Sequence, residues 1–257
     1  NNHRQSFRER NWFGAPFNVA SLTIKYNISQ SVNLQIKSFA TIAERNSVGF
    51  TKSITTKDSI NPITLDYNAR QVDRDNYKNY GAEARVAVKY LLKGMPTVFA
   101  GGIRAYCGNN KRNQLGIGTT GSDFDLTLTN PQYGKSLAFG TTNYAIFAEN
   151  IFQIGKRLKI VPGIRFEYIE NKREGYINTT ATGELNSEKR LRKLLLYGIG
   201  GEFLLTQKTN VYANYSLAYR PVTFSELTPC VPYLRCPKNT LPKDSQCCNK
   251  CLASFLC

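Results

Sequence analysis

Glycine and carboxylate spacing in "GIGTTGSDFD", residues 116–125, is the first feature of this sequence that could do chemistry. Gly116, Gly118 and Gly121 satisfy the dinucleotide-binding pattern G-x-G-x-x-G, and Asp123 and Asp125 follow like a metal-binding pair. The pattern has force only where a strand runs into the glycines and a helix starts at them, because pyrophosphate rests on free N–H groups at a helix N-terminus. Neither flank qualifies. Upstream, "CGNNKRNQL" is polar and without strand period; downstream, "DLTLTNPQYG" alternates before an Asn-Pro break, as strand or loop does. Two aspartates also fall short of the six or more oxygens that a hard cation takes. No nucleotide or metal site is assigned to the stretch.

Catalytic chemistry finds little else to work with. The single histidine, His3, lies in a polar N-terminal stretch, so a histidine-based triad or His-rich metal site is excluded. Carboxylates are scattered among basic residues and form no acid/base pair; Asp73 and Asp75 of "DRD" read as ion-pair partners of Arg70 and Arg74. Six of the seven cysteines (230, 236, 247, 248, 251 and 257) fall in the last 28 residues. Cys248 and Cys251 form a C-x-x-C pair that could hold Zn²⁺ with Cys230 or Cys236, although the second spacing matches no zinc ribbon or knuckle. Disulfides in an oxidising compartment are an alternative. The abrupt change of composition at Cys230 fits translation out of frame, and residues 230–257 are expected to stand outside the fold. No catalytic residue, metal or cofactor is therefore expected.

A net charge of +16 points first to nucleic acid or an anionic surface. Nucleic-acid binding is not expected, because lysine and arginine gather in polar runs such as "NNKRN" and "SEKRLRK" without stacking aromatics between them. No run of 18 apolar residues is present, which excludes a transmembrane helix. The opening "NNHRQSFRERNWFG" has no apolar signal region, so the chain is read as starting after processing or partway through something longer.

The elements that must position these charges are strands. Fifteen Tyr and 14 Phe stand against one Met, with frequent glycine. In "LTIKYNI", Leu22, Ile24, Tyr26 and Ile28 alternate with Thr23, Lys25 and Asn27, and the mate "VNLQIK" follows a short turn at Ser29-Gln30. The unit recurs at 82–90 with 97–106 across "KGMP", at 143–154 with 158–170 across Gly155-Lys156, and at 194–205 with 211–221 across "TQKTN". Strand 143–154 has no clean apolar face, and a bulge is expected there. The reading gives about eight antiparallel strands of about ten residues, the length that crosses a bilayer when tilted. Turns within hairpins are short, whereas the links 41–80, 107–142 and 171–191 are long, as in a transmembrane β-barrel. Aromatic residues near strand ends and charges such as Lys25, Arg85, Lys159, Arg165 and Glu202 on the second face suit interface girdles and a wet lumen. A secreted soluble β-sandwich that binds anionic ligands through basic loops is the competing arrangement.

"ERNSVGFTKSITTKDSINP", "QVDRDNYKNYGAEAR", "GTTGSDFDLTL", "NYAIFAENIFQIGKRLKIVPGIRFEYIE" and "VYANYSLAYRPVTFSELTP" resemble the barrel of a TonB-dependent outer-membrane receptor of the ferric dicitrate or ferric siderophore type. The resemblance covers residues 1–229. It implies an all-β antiparallel meander, a fragment of an outer-membrane barrel of about 22 strands. It further implies uptake of a ferric chelate, with outer-membrane lipid and the TonB complex as partners, the latter through a plug domain that this sequence does not contain. A run of eight strands would leave two edges unpaired in lipid, so the chain is expected to be a barrel fragment and not a working transporter. "GTTGSDFD" then falls in a long extracellular loop, where Gly permits turns and Asp caps them. Arg45, Arg70, Arg74, Lys111 and Arg112 fall in the same extracellular links and are the candidates for attracting an anionic chelate.

Overall fold

The alternation from Leu22 to Ile36 folds as a hairpin: β2 (Phe17–Asn27) pairs antiparallel with β3 (Val32–Gly49), with Ile24 opposite Ile36. A computed structural model describes residues 8–53, 55–177, 184–185 and 187–219. Within them all strands join one antiparallel sheet, and no helix forms. Three further hairpins follow in order: β4 (Gln71–Leu92) with β5 (Met95–Ile117), β6 (Lys135–Ile154) with β7 (Leu158–Ile177), and β9 (Glu188–Thr206) with β10 (Thr209–Ser216). Two short strands complete the sheet. β1 (Trp12–Gly14) extends the β2 side of β3, and β8 (Glu184–Leu185) pairs with β7. Each long strand lies beside its sequence neighbour, so the eight strands form the meander that the alternation predicts.

The tight turns follow from local chemistry. Leu92 pairs with Met95, and Lys93 and Gly94 between them have φ of +51° and +79°. Two consecutive positive φ values make a type I′ turn, whose twist matches that of the flanking strands.

Strand lengths depart from the sequence reading. β3 to β7 run 18 to 23 residues, about twice the expected ten. The predicted links 41–80 and 107–142 therefore shrink to 50–70 and 118–134. The cause is that both faces become polar beyond the hydrophobic stretch, as in "DNYKNY" and "NNKRNQ", so alternation vanishes while backbone pairing continues through Asn79 with Gly108 and Asp75 with Arg112. The bulge expected in 143–154 is absent, since β6 keeps one register against both neighbours. Its faces are mixed because Phe147 stands among charges, with the guanidinium groups of Arg85 and Arg165 at 5.5 and 5.3 Å from its ring centroid.

The register sorts side chains onto two faces. One row reads Ile24, Ile36, Ala84, Ile103, Ile146, Phe166, Leu195 across seven strands, and the next reads Tyr26, Leu34, Val86, Gly101, Ala148, Ile164, Tyr197. These apolar side chains stay about half exposed, with Ile103 at 60% and Ile146 at 59%. The described residues form a single sheet, so the sandwich alternative does not occur. The opposite, polar face carries Lys25, Gln35, Arg85, Phe147 and Arg165. Buried apolar residues, among them Val48, Val72, Leu137, Phe139 and Ile177, gather instead at the strand ends remote from the tight turns.

The expected boundary at 229/230 and the cysteine-rich segment 230–257 lie outside the described residues. Cys107, which is described, is an exposed free thiol.

Candidate functional site

Two arrangements of charge occupy the end of the sheet remote from the tight turns. The first holds the loops together. Arg10 lays its guanidinium 4.1 Å from the Tyr67 ring centroid, donates from Nε and NH2 to the Asp58 carboxylate, and donates from NH1 to the carbonyls of Thr120 and Gly121. Arg70, 1% exposed, donates from NH1 to the carbonyls of Asp123 and Arg10, while its backbone pairs with Gly118 and Thr119. Burial and the neighbouring Arg10 lower the Arg70 pKa. Trp12 adds a bond from Nε1 to the Ser122 carbonyl at 2.6 Å.

The stretch 116–125 is thus the end of β5 and a loop whose carbonyls are acceptors for three side chains. Asp125 turns inward on its own loop, accepting from the Thr127 N–H at 2.9 Å and the Thr119 hydroxyl at 3.1 Å. Bonding to Thr127 is the main reason its carboxyl lies below the ordinary value. Among the described residues no group of three or more His, Cys, Asp or Glu could hold a metal ion.

The second arrangement is built by register. Arg45 of β3, Asp75 of β4 and Arg112 of β5 lie on one line across three strands and project from the polar face. Asp75 is fully buried, and its Oδ2 receives Arg45 NH2 at 2.9 Å, Arg112 Nε at 3.1 Å and the Tyr77 hydroxyl at 3.3 Å. The Gln114 amide oxygen, turned toward the two guanidinium groups, accepts from both. Lys135, the outermost residue of β6 and well beyond the apolar band, joins them. Burial and the Arg112 charge hold its ammonium below the ordinary lysine value, with Asp75 and Asp73 opposing. Asp75 Oδ1 and Arg45 Nε are buried without a hydrogen-bond partner among the described residues. Three cations against one carboxylate, engaged through Oδ2 alone, leave a positive surplus, and the Arg45 side chain, 38% exposed, can present it.

The five candidate residues do not form one patch, and four of them lie in strands, not in links. Arg45 and Arg112 come together on Asp75. Arg70, one residue before β4, is a buried clamp. Arg74 and Lys111 are exposed and project from the opposite face, and Arg74 lies beside the Tyr133 hydroxyl. The pairing of Asp73 and Asp75 with Arg70 and Arg74 is also corrected. Asp75 pairs with Arg45 and Arg112, whereas Asp73 accepts from the Leu115 N–H at a β-bulge where Leu115 has φ of +59°. Sequence reading missed Tyr77, Gln114 and Lys135, because only the register reveals that they share a face.

The family model described as TonB dependent receptor-like, beta-barrel matches residues 1–235. Among solved structures, the ferric citrate transporter FecA in its unliganded form is 21% identical, with a TM-score of 0.59 over 80% of this chain and 28% of that one. The ferric-catecholate import receptor Fiu from E. coli K12, in its open form, is 12% identical with a TM-score of 0.62 over 83% of this chain and 37% of its own. The siderophore receptor PiuA from Acinetobacter baumannii is 10% identical with a TM-score of 0.60 over 81% and 33%. These likenesses are of fold, and the chain spans between 28% and 37% of the length of the three receptors. No curated protein matches the chain.

Proposed function

We propose that this chain, which belongs to the TonB-dependent receptor β-barrel family, forms part of the wall of an outer-membrane receptor that takes up a ferric chelate. Ferric citrate and ferric siderophores are the ligands that the titles of its structural neighbours name. The apolar face meets lipid and the polar face meets the lumen, since a lipid-crossing sheet needs one dry face and tolerates one wet one. Coupling to the TonB complex runs through a plug domain, which is distinct from the barrel that the family match covers.

The observation that carries this reading is the convergence of Arg45 and Arg112 on Asp75, with Lys135 beside them, on the polar face at the strand ends remote from the tight turns. Ferric complexes of citrate and of catecholates are anions. A cationic cluster held in place by a buried carboxylate draws them in by long-range attraction and can bind carboxylate oxygens through paired N–H donors.

The test is equilibrium binding of ferric citrate and of a ferric tris-catecholate to the full-length receptor and to its Arg45→Gln/Asp75→Asn/Arg112→Gln variant, which removes all three charges while keeping polar groups. Affinity for one of the two chelates should fall about tenfold or more at low salt and less at high salt. Unchanged affinity for both in a folded variant would contradict the assignment.

A further inference from the structure

Two observations on the apolar face point to one ligand. A groove of about 390 Å³ opens there, floored by the small residues Ala82, Ala84 and Ala105 and walled by Ile36, Ile103 and Tyr144. The row that holds Ala82, Ala105, Tyr144 and Tyr168 marks the upper limit of the band, with the two tyrosine rings 6.4 Å apart. Four residues further along the same strand and on the same face stands Lys78, about 13 Å up at the rise of a strand.

Lys111 is its diagonal neighbour, since Lys78 pairs with Asn109 and Lys111 lies two residues beyond. That offset sets the two about 7 to 8 Å apart. Both are exposed, and neither forms an ion pair among the described residues. Of the other charges on this face, Arg74 is a second diagonal neighbour of Lys111 and lies beside the Tyr133 hydroxyl, and Lys193 stands on β9, three strands from Lys111. Lys172 and Lys189 both pair with Glu170, Glu44 accepts from Asn46, and Glu174 lies two strands from Lys111.

We propose that the groove and the two lysines above it form a site for a phosphate-bearing membrane lipid. An acyl chain lies against Ala82, Ala84 and Ala105, and the phosphate sits between Lys78 and Lys111. The proposal rests on the reading that this sheet crosses a membrane with its apolar face outward. A small-residue floor between branched walls fits a narrow hydrocarbon chain, and unpaired ammonium groups past the aromatic row stand where headgroup phosphates lie. It also accounts for Lys111, which faces away from the lumenal cluster and has no role in capturing a chelate there.

The experiment places the full-length protein in vesicles of phosphatidylcholine containing phosphatidylglycerol, extracts it in mild detergent, and measures retained phosphatidylglycerol by native mass spectrometry. Wild type should retain phosphatidylglycerol selectively. Lys78→Gln/Lys111→Gln should reduce retention more than about tenfold, Ala84→Phe should reduce it by filling the groove, and Lys25→Gln on the polar face should leave it unchanged. Added inorganic phosphate should not displace the lipid. Equal retention in all variants, or displacement by inorganic phosphate, would overturn the lipid site. Wild type that enters vesicles without selecting phosphatidylglycerol overturns this site alone. Wild type that fails to enter them overturns the membrane reading as well.

Discussion

Arg45 and Asp75 face one another across the β3–β4 ladder and form an ion pair at 2.9 Å, with the Asp75 carboxylate fully buried. A buried carboxylate under two guanidinium groups is costly to unbalance. Asp75→Ala should destabilise the folded protein by about 1 to 3 kcal/mol, because it leaves two part-buried guanidinium groups side by side without their counter-charge. Arg45→Ala should cost less, since Arg112 and Tyr77 still engage Asp75. Urea unfolding of the bilayer-inserted protein checks both; equal losses would argue against Asp75 as the centre of the cluster.

Arg70 is expected to act on loop structure and not on ligand charge. Its buried guanidinium bonds to the Asp123 and Arg10 carbonyls, so Arg70→Gln should raise amide exchange through 118–134. Arg74→Glu, at an exposed position on the other face, should leave that exchange unchanged. The same result for both variants would show that Arg70 is not the clamp.

Gly175 has φ of +130°, and a Cβ placed there would sit 2.0 Å from the Ser136 carbonyl oxygen. Gly175→Ala should therefore separate β6 from β7 locally, at a cost of about 2 kcal/mol or more. Heat-modified electrophoretic mobility reads this out, with a lower transition temperature expected. A variant as stable as wild type would mean that the strand end relaxes freely.

Asp125 supplies a pH dependence. Its folded pKa is below the ordinary value of 3.8, so its contribution to loop order is complete above that value and disappears as pH falls through the lowered folded pKa. Trp12, the only tryptophan, bonds to Ser122 in the same loop and reports on it. Its fluorescence should hold steady from neutral pH down to about pH 5 and change only below the ordinary carboxylate range. Asp125→Asn should remove the acid transition; an identical transition in that variant would assign it to another group.

The apolar band was legible in the sequence because one face of each strand there is hydrophobic, as at Leu22 to Ile28, and period 2 is visible. The outer halves of the strands were not legible. In "DNYKNY" and "NNKRNQ" both faces are polar, so nothing in the residue pattern separates a paired strand from a loop. The site was half legible for the same reason. Arg45 and Arg112 stand out as cations in the sequence, but their meeting at Asp75 depends on register across three strands, and the burial of Arg70 depends on loops more than 45 residues apart in sequence.

The central claim is that this sheet is a membrane wall with a lipid face and a lumenal face, and neighbouring residues of β2 test it most directly. With the native cysteines replaced by serine, a single cysteine at Ile24 or at Lys25 can carry an environment-sensitive fluorophore in the full-length protein inserted into bilayers. Quenching by lipids brominated on their acyl chains should be strong at position 24 and weak at 25, while a water-soluble quencher should show the reverse order. Equal quenching at the two positions, or the opposite order, would contradict the account.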